Sequence, residues 1–304
     1  MHPRIVFMGS PEFAVPTLRS LAQHYMVVGV VTQPDRPAGR GQTLTPPPVK
    51  ILAQELDLPF IQPPKLRQPE AIDRLISWAP DLIVVAAFGQ ILRPQVLDLP
   101  SLGCVNVHAS LLPRWRGAAP INAAILHGDD QTGITIMRMD SGVDTGPIIT
   151  QRAEPIHTHD TAPVLSERLA LLGADLLMET LPGYLRGEIP QQTQDDALAT
   201  YAPMLHKEDG ALDFTKTSVE LERLVRAFQP WPGAYLEWAG GLLKILRAST
   251  ADVAGNIPPG QHLIYRGIPA VQTADGLLIL EEIQPAGKKP MPGKIFLQGA
   301  RNWA

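Results

Sequence analysis

The chain has 304 residues, of which 45% are hydrophobic and 18% charged, with a formal net charge of −4. That length supports one large domain or two smaller ones, each with a sizeable core. The acidic balance excludes a nucleic-acid binder driven by bulk charge, and no apolar run approaches the roughly 18 residues of a membrane-spanning helix.

Arg4–Gly9 is the first strand-like run and Met26–Gln33 the second, with a helix expected between them from Pro11 to Gln23. Further strands are expected at Asp81–Phe88, Val105–His108 and Thr132–Met139, separated by helices near Pro47–Glu55, Glu70–Trp78 and Ala118–His127. Alternation of this kind predicts a doubly wound, mostly parallel sheet covered by helices on both faces, a Rossmann-like α/β fold. From Thr161 to Arg186, Val164, Leu165, Leu169, Leu172, Leu176 and Leu177 recur at helical spacing and read as core positions. The Pro-rich stretches Pro34–Pro48 and Pro63–Pro69 are expected to be ordered surface loops, since apolar residues interrupt both.

Character changes after Pro190. Gln191–Tyr201 is polar and without period, so 191–204 is expected to be a linker between residues 1–190 and a second domain at 205–304. In that second part, a helix at Ser218–Phe228 precedes short β-like runs at Ala234–Trp238, Leu242–Leu246, Gly260–Tyr265, Ala270–Thr273 and Leu277–Glu281. Short strands separated by Gly, Pro and Asp turns predict a small barrel or sandwich. Residues 204–304 carry a net charge of +1 against −5 for the rest, a mild asymmetry compatible with a polyanion partner.

The single cysteine, Cys104, leaves no internal disulfide framework and points to a reducing cytoplasm. It lies in a buried strand and reads as a small core residue. The start of the chain runs straight into a strand, so no signal peptide is expected. Gly9-Ser10-Pro11 follows the first strand but lacks the later glycines of a dinucleotide fingerprint, so a tight strand-to-helix turn is expected and a nicotinamide cofactor is not. His157 and His159 lie together without a third ligand, and metal-free chemistry is expected.

The strongest chemical signal is Asn106-Val107-His108, where two polar side chains share one face at the end of an apolar strand. Ligands of open α/β sheets bind at the carboxyl ends of strands. The loop after the Thr132–Met139 strand, Asp140-Ser141-Gly142-Val143-Asp144-Thr145-Gly146, also leaves a strand's carboxyl end and supplies Asp144. A His with a carboxylate is a general acid–base unit, and a neighbouring amide can donate to a developing oxyanion. Spacing alone leaves a buried structural His–Asp pair equally open.

The combination of Asn106-Val107-His108, the run Ser110–Pro120 and Asp140–Thr145 resembles the folate-dependent formyltransferases. The loop Thr32–Gly41 with Pro48-Val49-Lys50, and the later blocks Arg226–Pro232 and Gln284–Pro290, resemble those members that formylate methionine on initiator tRNA. That resemblance runs nearly end to end. It implies a Rossmann-like formyltransferase domain followed by a smaller OB-like β-barrel, 10-formyltetrahydrofolate as donor without a metal, and methionyl initiator tRNA as partner of a monomeric chain.

By the same resemblance, Asn106 and His108 stabilise the oxyanion and Asp144 pairs with His108. Ser110, Leu111, Leu112 and Pro113 line the folate site, flanked by Phe88, Gln90, Ile91, Leu92 and Val143. Arg36, Arg40 and Lys50 face the tRNA acceptor end from the Asp35–Pro48 loop. On the second domain Lys207, Arg223, Arg226, Lys244, Arg247, Lys288 and Lys289 read from the sequence itself as a candidate phosphate-contacting track, with solvated surface charge an equally open reading. Gln42-Thr43 stand where relatives often carry lysines, so the loop is expected to rely on Arg36, Arg40 and Lys50. A sugar-nucleotide N-formyltransferase, a formyltetrahydrofolate hydrolase module and a noncatalytic RNA- or ligand-binding protein stay open as alternatives.

Overall fold

Strand β1 (Arg4–Gly9) is fully buried from Ile5 to Met8, as a strand covered on both faces must be. The protein is described here by a computed structural model covering residues 3–38, 43–239, 241–253, 257–300 and 302–304. The turn after β1 is tight: a Cβ at Gly9 would lie 2.8 Å from the Ala86 carbonyl. It leads into α1 (Val15–His24), and β2 (Met26–Val31) returns parallel to β1. Within the first Pro-rich stretch β3 (Arg36–Ala38) and β4 (Thr43–Thr45) pair as a short antiparallel ribbon that the sequence did not announce. The chain continues through α2 (Pro48–Glu55), a two-residue strand β5 (Phe60–Ile61), α3 (Pro69–Trp78), β6 (Leu82–Ala86) and α4 (Pro94–Leu97). Then come β7 (Cys104–His108), β8 (Arg116–Gly117), α5 (Pro120–His127), β9 (Gln131–Arg138), β10 (Ile148–Pro155) and α6 (Ala162–Leu185).

The main sheet has seven strands in the order β10-β9-β7-β6-β1-β2-β5. β5, β2, β1, β6 and β7 run parallel, and the order reverses about β1, the usual topology of a doubly wound sheet. β9 and β10 are antiparallel. This corrects one expectation: because Val105 pairs with Arg138 and His108 with Thr135, the carboxyl end of β9 lies beside the start of β7, not beside His108. In α6, Leu165, Leu169, Leu176 and Leu177 are buried as their spacing predicts, while Val164 is 47% exposed. Gly173 lets α6 lie close on the sheet, since a Cβ there would meet Val107 at 2.8 Å.

The chain divides into two units. The first comprises Met1–Pro120, Gln131–Pro155 and Ser166–Ala202. Residues 191–202, expected within a linker, are therefore built into it. Gln192 and Ile148 exchange two backbone hydrogen bonds of 2.8 Å, and β11 (Tyr201–Ala202) lies parallel to β8. The segment docks through backbone and polar side chains, which leave no hydrophobic period to read.

The second unit comprises Ile121–Asp130, Ile156–Leu165 and Pro203–Ala304. Its helix α7 (Ser218–Ala227) begins with a capping box in which Thr217 and Glu220 satisfy each other's amides. Strands β12 (Ala234–Trp238), β13 (Gly241–Ala251), β14 (His262–Tyr265), β15 (Ile268–Gln272) and β16 (Leu277–Pro285) form an antiparallel sheet in the order β12-β13-β16-β15-β14. β17 (Met291–Pro292) pairs with β16 and leads into α8 (Gly293–Gly299). Bulges around Arg247 bend the long β13, curling the sheet toward a half-barrel. Leu243, Ile245, Val271, Leu278, Leu280 and Ile283 are buried in it, and Trp303, also buried, packs edge-on against Phe296.

Candidate active site

β7 carries the polar pair. Every residue from Cys104 to His108 is buried, with Asn106 at 8% and His108 at 6% exposure. Among the described residues the Asn106 amide makes no hydrogen bond of its own, although it is nearly enclosed. The amide is therefore not committed to the fold, and its N–H groups are available to a ligand. His108 Nε2 lies 3.0 Å from the Trp115 carbonyl oxygen. A carbonyl only accepts, so in the neutral ring the proton is assigned to Nε2 and Nδ1 is left unprotonated. Nδ1 faces Asp144 Oδ1 at 3.7 Å, an ion pair whenever the ring is charged. Cys104, on the same strand, is 1% exposed, and burial pushes its thiol up to about 12.

Asp144 reaches His108 by an indirect route. Its loop begins near the far end of β7 and must return across about three residues of strand, roughly 10 Å. The fold-back places Asp144 at φ 53°, and Gly146 must be glycine, since a Cβ there would sit 1.9 Å from the Arg138 carbonyl. Asp144 Oδ2 accepts a 2.8 Å bond from the Gly117 amide, which clamps the carboxylate to β8. Trp115, the acceptor for His108, also has a left-handed backbone, at φ 62°. Ala87, at φ 46°, makes a third such residue just after β6. Sparse backbone conformations gathered at the carboxyl ends of β6 and β7 are a mark of a built site.

The remaining residues expected at the donor site fall into two groups. Ser110 is fully buried and its hydroxyl donates to the Arg114 carbonyl at 2.6 Å. Thr135 Oγ1 donates to the Ser110 carbonyl and accepts from the Leu112 amide, while Gln151 donates to the Leu112 carbonyl. The 110–113 loop is thus a fixed wall, with Leu112 packed on Met137 and Ile148 and with Leu111 and Pro113 partly buried. Phe88 and Leu92 belong to the core under β6, whereas Ile91 is 78% and Val143 54% exposed, apolar surface at the sheet edge. Gln90 braces the chain through the Leu66 amide and the Pro63 carbonyl. Gln90 and Ile91 line a cavity of about 210 Å³ together with Lys65, Arg67 and Arg93, three cations that the motif reading passed over because they lie in separate loops.

Of the expected tRNA contacts in the first unit, Arg36 starts β3 and donates to the Gln33 side chain, and Arg40 lies outside the described residues. Lys50 is not a free cation: its ammonium pairs with Asp35 at 2.6 Å, and Gln62 donates to the same carboxylate. These contacts hold the Asp35 carboxyl below its usual range. In the second unit Lys207, Lys244, Lys288 and Lys289 are exposed, and Arg223 is half-buried over Gly128. Arg226 is tied to Glu222 and the Asp160 carbonyl, and Arg247 to Glu281.

Sequence reasoning missed the support behind the Asn106, His108 and Asp144 cluster. Arg116 is 1% exposed, and its guanidinium grips Gln194 Oε1 through two bonds of 2.9 and 3.0 Å and Asp196 at 2.8 Å. Thr200 Oγ1 accepts from the Trp115 amide at 2.9 Å. In the sequence Arg116 stands beside a second arginine, Arg114, in the run Ser110–Pro120, and nothing there marked it as the buried one of the two.

Residues 3–181 match the family described as formyl transferase, and residues 204–301 match the formyl transferase C-terminal domain. The chain belongs to the formyl transferase family and is a formyl-group transferase. More particularly, it is 51% identical to a methionyl-tRNA formyltransferase of Geobacter sulfurreducens, over 98% of this chain and 94% of that one. It is 48% identical to a methionyl-tRNA formyltransferase of a Roseiflexus species, over 99% and 94%. Among solved structures, the sugar 3N-formyl transferase WlaRD, crystallised with dTDP and 5-N-formyl-THF, shares the fold. Its TM-score is 0.69 at 19% identity, covering 95% of this chain and 100% of that one. HypX from Aquifex aeolicus, crystallised with tetrahydrofolic acid, aligns at TM-score 0.63 and 16% identity over 98% of this chain and 47% of its own.

Proposed function

We propose that this chain transfers the formyl group of 10-formyltetrahydrofolate to the α-amine of methionine carried by initiator tRNA, working as a monomer in the cytoplasm. The observation that carries this reading is the open Asn106 amide beside the 3.7 Å His108–Asp144 pair, all on one chain. When bound, the folate supplies a formyl carbon attached to a nitrogen that can leave as an amine.

Asn106 donates to the formyl oxygen as charge develops there. In its charged form, paired with Asp144, His108 also bears a proton at Nδ1 and offers it to the same oxygen, while Nε2–H stays on the Trp115 carbonyl. Asp144 Oδ1 takes the proton shed by the attacking amine, while its other oxygen stays on the Gly117 amide. The attack gives a tetrahedral intermediate, which collapses by breaking the old C–N bond as Asp144 passes the proton it took to the departing folate nitrogen, so that the formylated amine and a neutral folate amine are left.

The surroundings fit the donor. Exposed Val143 and Ile91 offer apolar contact for a flat ring system, and Lys65, Arg67 and Arg93 offer positive charge for its carboxylate tail. The β3–β4 ribbon with Arg36 suits the single-stranded end of a tRNA, where phosphates and shape are read.

Formyl transfer measured with methionyl initiator tRNA, free methionine and a sugar-nucleotide amine tests the reading. Turnover on the charged tRNA alone is expected. Transfer to the sugar amine would overturn the acceptor, and binding of a folate analogue without any turnover would overturn the catalysis.

A further inference from the structure

Resting on Asp144 as a working part of that site, we infer that Gln194 is its positioning residue: the Gln194 amide holds the Asp144 loop folded back over β7, and Arg116 holds Gln194. The amide is 8% exposed and has a fixed orientation. Its nitrogen faces two carbonyl oxygens, those of Asp144 at 2.8 Å and Gly146 at 2.7 Å, and can only donate to them. Its oxygen faces the Arg116 guanidinium at 3.0 and 2.9 Å, and can only accept. Every hydrogen-bonding position of the side chain is therefore used within the protein.

The loop needs this hold. β9 delivers the chain to the wrong end of β7, and Asp144 returns to His108 only in a left-handed conformation that aspartate adopts under constraint. Gln194 bonds the carbonyl of Asp144 itself and that of Gly146, the residue that closes the turn. Gly117 holds the carboxylate, and Gly117 follows Arg116 in the chain, so a single short strand anchors both ends of the arrangement. Gln194 touches neither His108 nor Asn106, and acts only through Asp144.

Gln194→Glu separates support of the fold from positioning, because the carboxylate still accepts from Arg116 but has no N–H for the two carbonyls. The variant is expected to melt within a few degrees of the parent, to keep its KM for both substrates within about twofold, and to lose kcat by about ten- to a hundredfold. Combined with Asp144→Asn, it should lose no more than Asp144→Asn alone. Gln194→Asn, which keeps both groups on a shorter arm, should give the same split between kcat and KM, and replaces the first variant if that one does not fold.

A kcat within twofold of the parent, alongside an inactive Asp144→Asn, would overturn the inference while leaving the proposed function standing. Losses that multiply in the double variant would overturn it too, since Gln194 would then act by another route. Near-normal activity of Asp144→Asn would remove the proposed role of Asp144, and this inference with it.

Discussion

β7 and the segment 191–202 both serve the same few atoms, yet they are made in opposite ways. β7 is a strand of buried apolar residues interrupted by Asn106 and His108, and the interruption is visible because its background is uniform. The 191–202 segment has no such background. It holds Gln194, Asp196 and Thr200 among other polar residues, and it docks by hydrogen bonds to Arg116, Asp144, Gly146 and Trp115. Chemistry placed on a regular element announces itself, whereas the parts that aim the chemistry can sit in chain that looks like filler.

Three substitutions press on this contrast. His108→Ala removes a group proposed to touch the reacting atoms, and is expected to lower kcat by about a thousandfold, some 4 kcal/mol of barrier. The midpoint of thermal unfolding should stay close to the parent's. A variant with a tenth or more of normal turnover would place the chemistry elsewhere and dissolve the contrast.

Arg116→Lys strikes the join between the two regions. A single ammonium cannot reproduce the fork that serves Gln194 and Asp196, so unfolding in urea should reveal a loss of about 2–3 kcal/mol. Activity should fall as well, through the same loop. No change in the urea midpoint would mean that the buried guanidinium is dispensable to the fold.

Thr200→Val is the smallest of the three. It leaves the Trp115 amide without its side-chain acceptor, a loss of about 1 kcal/mol, while the Thr200 carbonyl still receives the Arg116 amide. A kcat reduced by no more than a few fold would rank Thr200 below Gln194 as a support. A larger loss of turnover would show that the Trp115 carbonyl, and with it the His108 ring, depends on this contact more than on β7.

Much of the first unit could be read in advance. β1, β2, β6 and β7, with α1, α2 and α3, follow from alternating apolar strands and helices, and their ends fall within a few residues of the expected ones. β10 was not foreseen, because Gln151 on one face and Arg152 and Glu154 on the other leave this edge strand without an apolar alternation to read. Nor could spacing tell that β9 runs backwards; a hydrophobic strand looks the same in either direction, and only its pairing partner settles the sense. The choice of Asn106, His108 and Asp144 rested on motif and sheet position, and the three-dimensional arrangement brings His108 and Asp144 together by a path that sheet position alone did not describe. Lys50 was read as a tRNA-facing charge without its ion-pair partner, because Asp35 lies across a turn and outside any helical spacing.

The enclosed thiol of Cys104 has a practical use. At 1% exposure, and with its ionisation pushed to about 12, it gives almost no thiolate at neutral pH and should be inert to maleimides in the folded chain. A single cysteine introduced on the β3–β4 ribbon would then be the sole reactive handle, without any need to remove the native one. A fluorophore or spin label placed there could report the arrival of a tRNA in the otherwise unaltered enzyme.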